Sequence, residues 1–386
     1  MREKAQFKPK PFIFYYLPVL LSALTGLADS IYLVISHYKV HTDISYKSFC
    51  AISKALNCDT VSQSSYAIFM GVPVSLLGVL GYLIFVVITA FLYRNDFIDG
   101  KRRGWHTLFI ISATFSAYSV VLALISNYYI HSYCIMCILS YIINFILLFL
   151  TLMIIQRFAK APFFKSLKDD IVFFISHKWL QKIIPAFALF TLSLFFFFPD
   201  YWTKNVSALT KDVASGLTEE GHPWIGAENP ELTIIEYADY RCFQCGKMHY
   251  YLRELVASNP DKLRLIHKHF PMDHEVNPLV KEPFHVGAGK MAMLAIYAAS
   301  KDKFWEMNDI LYDIKEDFNL KTIAKETGIK AGELAWAINS KEVRAILNRD
   351  MSDGFKLGVT GTPSFEINGE LYFGIIPPEI LSSFLP

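Results

Sequence analysis

The run "YCIMCILSYIINFILLFL" at residues 133–150 decides the fold. It is 18 residues long and carries no charged side chain, which is long enough to read as a membrane-spanning helix. Yet it opens with a dithiol, Cys134 and Cys137, three residues apart. A thiol pair at the water-lipid boundary asks what it exchanges electrons with.

The rest of the chain supports a membrane reading. Of its 386 residues, 53% are hydrophobic and only 19% are charged, too apolar for one ordinary soluble domain. Five apolar runs, roughly 12–36, 72–93, 106–126, 133–155 and 181–200, approach or exceed the length a bilayer needs. The first is too long for a signal-peptide core and lacks a small-x-small cleavage site, so it reads as a retained helix. Charge divides the chain. Residues 1–204 hold 18 Lys and Arg against 9 Asp and Glu, and residues 205–386 hold 19 against 26. Neither part has the basic runs with interleaved aromatics that mark nucleic-acid binding.

Lys and Arg in short loops set orientation. Arg2, Lys4, Lys8 and Lys10, then Arg94, Lys101, Arg102 and Arg103, then six more in 157–182 give 14 cations on one side. The opposite loops, 38–71 and 127–132, hold only Lys39, Lys47 and Lys54. The N-terminus is therefore expected in the cytoplasm, and five spans put the C-terminal part outside. All six cysteines then fall in the outer compartment: Cys50 and Cys58 in a loop, Cys134 and Cys137 at a helix end, Cys242 and Cys245 in the soluble part. That is where disulfides form and persist.

In the soluble part, "LTIIEYADYRCFQCGKMHYYLRELV" reads strand, turn, helix, with C-x-x-C at the helix start. This is a thioredoxin-like redox pattern. The helix N-terminus favours a thiolate, making Cys242 the nucleophile and Cys245 the resolving thiol. Half a zinc site is the alternative, but zinc needs four ligands and this part has no second close cysteine pair. A second strand at 263–272, helical spacing through 290–314 and a hairpin in "GVTGTPSFEINGELYFG" (358–374) complete the pattern. From about residue 230 this part resembles a DsbA-like thioredoxin domain with a helical insert. The resemblance implies that Pro363 is a cis-proline opposite the cysteines and that Glu236 is the buried acid. Phe243-Gln244 departs from the Pro-His of DsbA, which leaves the redox potential open.

The membrane part resembles the vitamin K epoxide reductase family over about 14–156. The resemblance rests on "TGLADSIY" in the first span, Cys50 and Cys58 with seven residues between them, the Ser-rich stretch after Cys58, and "CIMCILSY" (134–141). It implies a four-helix bundle and a quinone, ubiquinone or menaquinone, as electron acceptor at Cys137. Ser64 and Tyr141 are implied at the quinone site. Tyr141 is one turn past Cys137 on the same face, with an aromatic packed in the bundle as the alternative; for Ser64 the alternative is a helix cap or a solvated serine. Asp29, a carboxylate inside the first span, receives no role. No metal cluster and no Gly-rich phosphate loop is expected.

The expected protein is a multi-pass α-helical membrane protein: a four-helix bundle, a fifth transmembrane helix and a C-terminal α/β thioredoxin-like domain. Its divisions are a cytoplasmic tail at 1–11, the membrane domain at 12–156, a cytoplasmic loop and fifth helix at 157–204, a linker at 205–230 and the thioredoxin-like domain at 231–386. The expected activity is disulfide formation at the bacterial cytoplasmic membrane. Electrons would pass from reduced secreted or periplasmic proteins through Cys242–Cys245, Cys50–Cys58 and Cys134–Cys137 to the quinone pool. Two alternatives stand: the same relay reversed as a quinol-dependent reductase or isomerase, and a non-catalytic anchor with structural disulfides.

Overall fold

Five stretches of this chain can satisfy their backbone hydrogen bonds in lipid only by becoming helices, and each does. The computed structural model describes residues 11–52, 56–99, 103–158, 162–202, 209–314 and 319–384. The tail at 1–10 with its four cations, and Lys54, Lys101, Arg102 and Lys160 of the charge count, lie outside them. The chain divides into two units, residues 1–201 and 202–386.

In the first unit, α1 (Ile13–Thr42) is followed by the short α2 (Cys58–Gln63) and a two-residue hairpin, β1 (Ile68–Phe69) and β2 (Val72–Pro73). Then come α3 (Val74–Asp99), α4 (Trp105–Ile125), a π-helical turn at Ser126–Ile130, α5 (Ile135–Phe158), α6 (Phe163–Ser176) and α7 (Leu180–Phe197). Five of these helices, all but α2 and α6, are long and apolar enough to cross a membrane. Lipid tails give helices no hydrophobic reason to associate, so close approach and polar bonds must do it. Both are present. A methyl on Gly26 of α1 would fall 2.3 Å from the Tyr82 ring of α3. Asn144 of α5 accepts from the Tyr82 hydroxyl at 2.6 Å and donates to Ser119 of α4 at 2.9 Å. Ser112 of α4 meets Thr151 of α5 at 3.1 Å.

The loop expected after the fourth span is not irregular: α6 fills 14 residues of it. It folds because Asp170, buried on its inner face, has backbone donors to meet. Its carboxylate accepts from the N–H groups of Gly104 (2.6 Å), His106 (3.2 Å) and Thr107 (3.2 Å), the free N-terminus of α4.

The second unit is built on a six-stranded sheet in the order β3-β4-β6-β5-β7-β8. The strands are β3 (Ser215–Leu217), β4 (Pro223–Gly226), β5 (Leu232–Ala238), β6 (Leu263–His269), β7 (Ser364–Ile367) and β8 (Glu370–Phe373). β5 and β6 run parallel, joined by α8 (Phe243–Ser258), and every other pairing is antiparallel. The helical insert comprises α9 (Ala288–Ala299), α10 (Phe304–Asp313), α11 (Leu320–Thr327), α12 (Ala331–Ala337) and α13 (Lys341–Leu357), with α14 (Pro378–Phe384) at the end. β7 and β8 turn through Asn368-Gly369, both at positive φ, as a tight hairpin requires. The stretch expected to be a linker at 205–230 holds β3 and β4, two strands of the sheet. Strands of three and four residues are too short to display an alternating pattern. Gly226 is required where β4 ends. Its φ is +117°, and a methyl there would sit 2.0 Å from the Leu263 carbonyl oxygen.

The α4 cap generates a test of the membrane unit. Asp170→Ala leaves three backbone donors without their acceptor and should cost about 2 kcal/mol of stability. It should appear as a lower melting temperature of the detergent-solubilised protein. An unchanged melt would show that α4 does not depend on α6.

Candidate functional site

In the membrane unit the loop after α1 is tied to the start of α5. Asn57 caps α2, its side-chain oxygen accepting from Asp59 N at 3.0 Å and Thr60 N at 3.2 Å, and this places Cys58 on the first turn. Asn57 N donates to the Tyr133 carbonyl at 2.9 Å. Cys58 is disulfide-bonded to Cys50, with Cα atoms 5.6 Å apart. Cys134 and Cys137 are free thiols. Cys134 immediately precedes α5, and its sulfur accepts the Cys137 N–H at 3.1 Å. Cys50, Cys58 and Cys134 are buried in one cluster, against which Leu33, Val61, Met136 and Cys137 pack.

Beside this cluster is a cavity of about 150 Å³ lined by Ala123, Ser126, Tyr133, Cys134, Cys137, Ile138 and Tyr141. A cavity of that size accommodates one six-membered ring. Tyr141 and both thiols of the pair line it, which suits a quinone ring that needs a hydrogen-bond donor and a dithiol. Ser64 does not line it. It ends α2, and its hydroxyl donates to the Val61 carbonyl at 2.8 Å. Asp29 is buried in α1. It accepts from Ser140, one turn beyond Cys137, and its second oxygen has no hydrogen-bond partner among the described residues.

In the second unit Cys242 is the N-cap of α8 and Cys245 lies buried in its first turn. The Cys242 thiol donates to the Thr362 carbonyl at 3.4 Å, and the Thr362–Pro363 bond is cis. A hydrogen bond from Cys245 draws the Cys242 thiol below its ordinary range against the opposing effect of burial, and the His285 charge adds to the lowering. Burial pushes Cys245 well above that range, followed by its bond to Cys242. The pair is thus asymmetric at neutral pH.

Glu236 is buried on β5 and bonded to His267 Nδ1 of β6 at 2.7 Å, a contact fixed by the parallel register that sets these two residues side by side. His267 reaches His269 at 3.3 Å. Tyr312 of α10 is partly buried, its hydroxyl held well above the usual phenol range by burial and then by the charges of Cys245 and Glu236. Asp239 and His285, 2.8 Å apart, stand beside Cys242. Sequence reading missed Asp239, His267, Tyr312 and His285. Two histidines at alternate positions of a strand, both facing inward, were a readable signal for His267. His285 lies in a loop with no periodicity and had none.

Residues 17–152 match the model of the vitamin K epoxide reductase family, and residues 218–386 match that of a thioredoxin family. The chain thus joins a domain of the first kind to a thioredoxin-like domain. A Na(+)/H(+) antiporter NhaA 3 of Salinispora tropica is 26% identical over 161 residues, 41% of this chain and 23% of that protein. An NhaA 1 antiporter of Mycolicibacterium gilvum is 24% identical over 39% of this chain and 24% of its own length. The chain spans about a quarter of the length of these curated relatives. Among solved structures, a thioredoxin-like oxidoreductase from Silicibacter pomeroyi is 24% identical, covering 47% of this chain and 96% of its own, with a TM-score of 0.36. DsbA2 of Pseudomonas aeruginosa is 21% identical, over 41% and 90%, with a TM-score of 0.33.

The thiol asymmetry is directly measurable. In the reduced protein near pH 7, iodoacetamide should modify Cys242 at least about tenfold faster than Cys245, because only thiolate reacts. Equal rates would mean that neither burial nor the helix start distinguishes them.

Proposed function

We propose that this chain is a membrane thiol oxidase that forms disulfides in secreted or periplasmic proteins and passes the electrons to the quinone pool. The reading is carried by one observation: Cys50, Cys58 and Cys134 share a buried cluster beside a ring-sized cavity bordered by Cys137.

The relay runs by thiolate attack on disulfide sulfur. A substrate thiolate attacks Cys242 of the oxidised pair, and the substrate's second thiolate then releases Cys242. The reduced Cys242 attacks Cys50, freeing Cys58, and Cys245 resolves the mixed bond. Cys58 next attacks Cys134 of the oxidised membrane pair, displacing Cys137, and Cys50 closes back onto Cys58. A bound quinone supplies a two-electron, two-proton acceptor for the Cys134–Cys137 dithiol. Tyr141 supplies a hydrogen-bond donor at the cavity wall, and Ser64 supports the α2 end of the loop rather than the cavity. Pro363 keeps the Thr362 carbonyl facing Cys242.

The charge bias of the loops supports a cytoplasmic N-terminus and an extracytoplasmic thioredoxin-like domain at the bacterial inner membrane. A reporter that works only outside the cytoplasm should be active when fused after Pro386. Activity of a cytoplasm-only reporter there would sink the relay. The activity itself is tested by incubating the purified protein with a reduced, unfolded substrate and following quinone absorbance. Loss of quinone signal coupled to substrate disulfides is expected; no coupling refutes the reading.

The handover between the membrane pairs has its own test. Cys137→Ser removes the thiol that breaks the mixed bond, so a Cys58–Cys134 disulfide should accumulate and quinone reduction should cease. Digestion without reductant and mass spectrometry would find the linked peptide. A Cys50–Cys134 peptide instead would reverse the roles of the two loop cysteines.

A further inference from the structure

Asp239 closes β5 and opens the turn that carries Cys242. Its carbonyl accepts the Cys242 N–H at 3.1 Å. Its carboxylate is buried and accepts from Arg241 N at 2.6 Å, from Met272 N at 2.6 Å and from His285 Nδ1 at 2.8 Å. The same side chain therefore fixes both the cysteine turn and the imidazole.

The loop that delivers His285 is held with unusual care for a surface connection. Asp273 accepts from the N–H groups of Gly287 at 2.9 Å and Gly289 at 3.1 Å. Asn277 donates its backbone N–H to the Asp273 carbonyl at 2.8 Å and its side-chain amide to the Pro271 carbonyl at 2.9 Å. Asp239, Asp273 and Asn277 are each only 1% exposed. His285 itself adopts a φ of +43°, a left-handed conformation that strains any residue with a Cβ. Such strain persists only where the surroundings over-determine it, and it concentrates at functional sites. The Phe284 ring stacks on the imidazole at 3.9 Å between centroids. Meanwhile Phe243 and Gln244, the residues between the cysteines, bring no charge to the site.

We propose that His285, oriented by Asp239, is a positioning residue that supplies the positive charge facing the Cys242 sulfur during thiol exchange. This rests on the exchange proposed for Cys242–Cys245. The substrate dithiol gives up two electrons and two protons. The electrons reduce the Cys242–Cys245 bond, one proton ends on Cys245 and the other on His285. The reduced state is then a Cys242 thiolate beside an imidazolium. The direction of the charges agrees: His285 lowers the Cys242 thiol, and Asp239 raises it. The titratable and charged groups around the pair include Asp239 and Arg241 in the turn after β5, Cys245 on α8, Tyr312 on α10, and Asp273 with His274 on the loop, where Lys281 and Glu282 also lie.

The test uses the full-length, reduced protein in detergent. Cys242 is alkylated with iodoacetamide from about pH 4 to about pH 9 and quantified by mass spectrometry, with Cys245 as internal reference. His285→Gln keeps a donor for Asp239 but removes the charge. It should raise the Cys242 midpoint by about one pH unit, an about tenfold slower reaction at the acid end. His285→Lys should bring the midpoint back down. An unmoved midpoint in His285→Gln, with the melting curve intact, overturns the proposal. If His285→Gln melts early, His285→Lys decides alone: a midpoint above the wild type's overturns the proposal. An ordinary thiol midpoint for Cys242 in the wild type would overturn the exchange reading itself, and this inference with it.

Discussion

A sulfur that must carry negative charge needs donors, and in both units this chain finds them at the start of a helix. Cys134 stands immediately before α5 and accepts the N–H of Cys137; Cys242 is the N-cap of α8. The first turn of any helix has N–H groups without partners, and its dipole is positive there. A C-x-x-C placed at that point puts one sulfur on the free N–H groups and the other inside the first turn. The remaining architecture serves this arrangement. α2 and its Asn57 cap hold the Cys50–Cys58 bond in the cluster that contains Cys134, and β5 ends in the turn that presents Cys242.

The two units reach the same end in different solvents. In the first, lipid offers nothing to polar groups, so Asn144, Ser119, Tyr82, Ser112 and Thr151 bond one another across helices, and Gly26 lets α1 and α3 meet. In the second, water drives Tyr237, Phe270, Met291, Leu294 and Leu311 into one apolar core shared by sheet and insert. Inside that core Glu236, His267 and His269 are joined in a chain of hydrogen bonds.

What could be read from the sequence follows from this. The five spans were legible because lipid imposes a length and a composition on every residue of a span. The strand–C-x-x-C–helix and the Asn368-Gly369 hairpin were legible because their signals are local. β3 and β4 were not, being too short for a period, and α6 was hidden because Asp170 meets Gly104 and Thr107 more than sixty residues away. Ser64 was placed near the quinone site by resemblance alone; the fold sets it after α2 with its hydroxyl on the Val61 carbonyl, a local bond the sequence did not announce. Asp239 and His285 are separated by 46 positions, and nothing in either neighbourhood announces the other.

The opposite displacement of the two outer thiols also bears on which bond breaks first in the proposed relay. Cys242 is drawn down and only partly buried; Cys245 is pushed up and buried. In the proposed relay, a mixed disulfide on Cys242 therefore faces a resolving thiol that burial holds toward its protonated form, which slows its attack without preventing it. The substrate's own second thiol is free to react in that interval, and it expels the better leaving group, Cys242. The substrate then departs oxidised rather than being returned as a dithiol. In the proposed relay, burial of Cys245 thus gives the substrate's second thiol time to release Cys242.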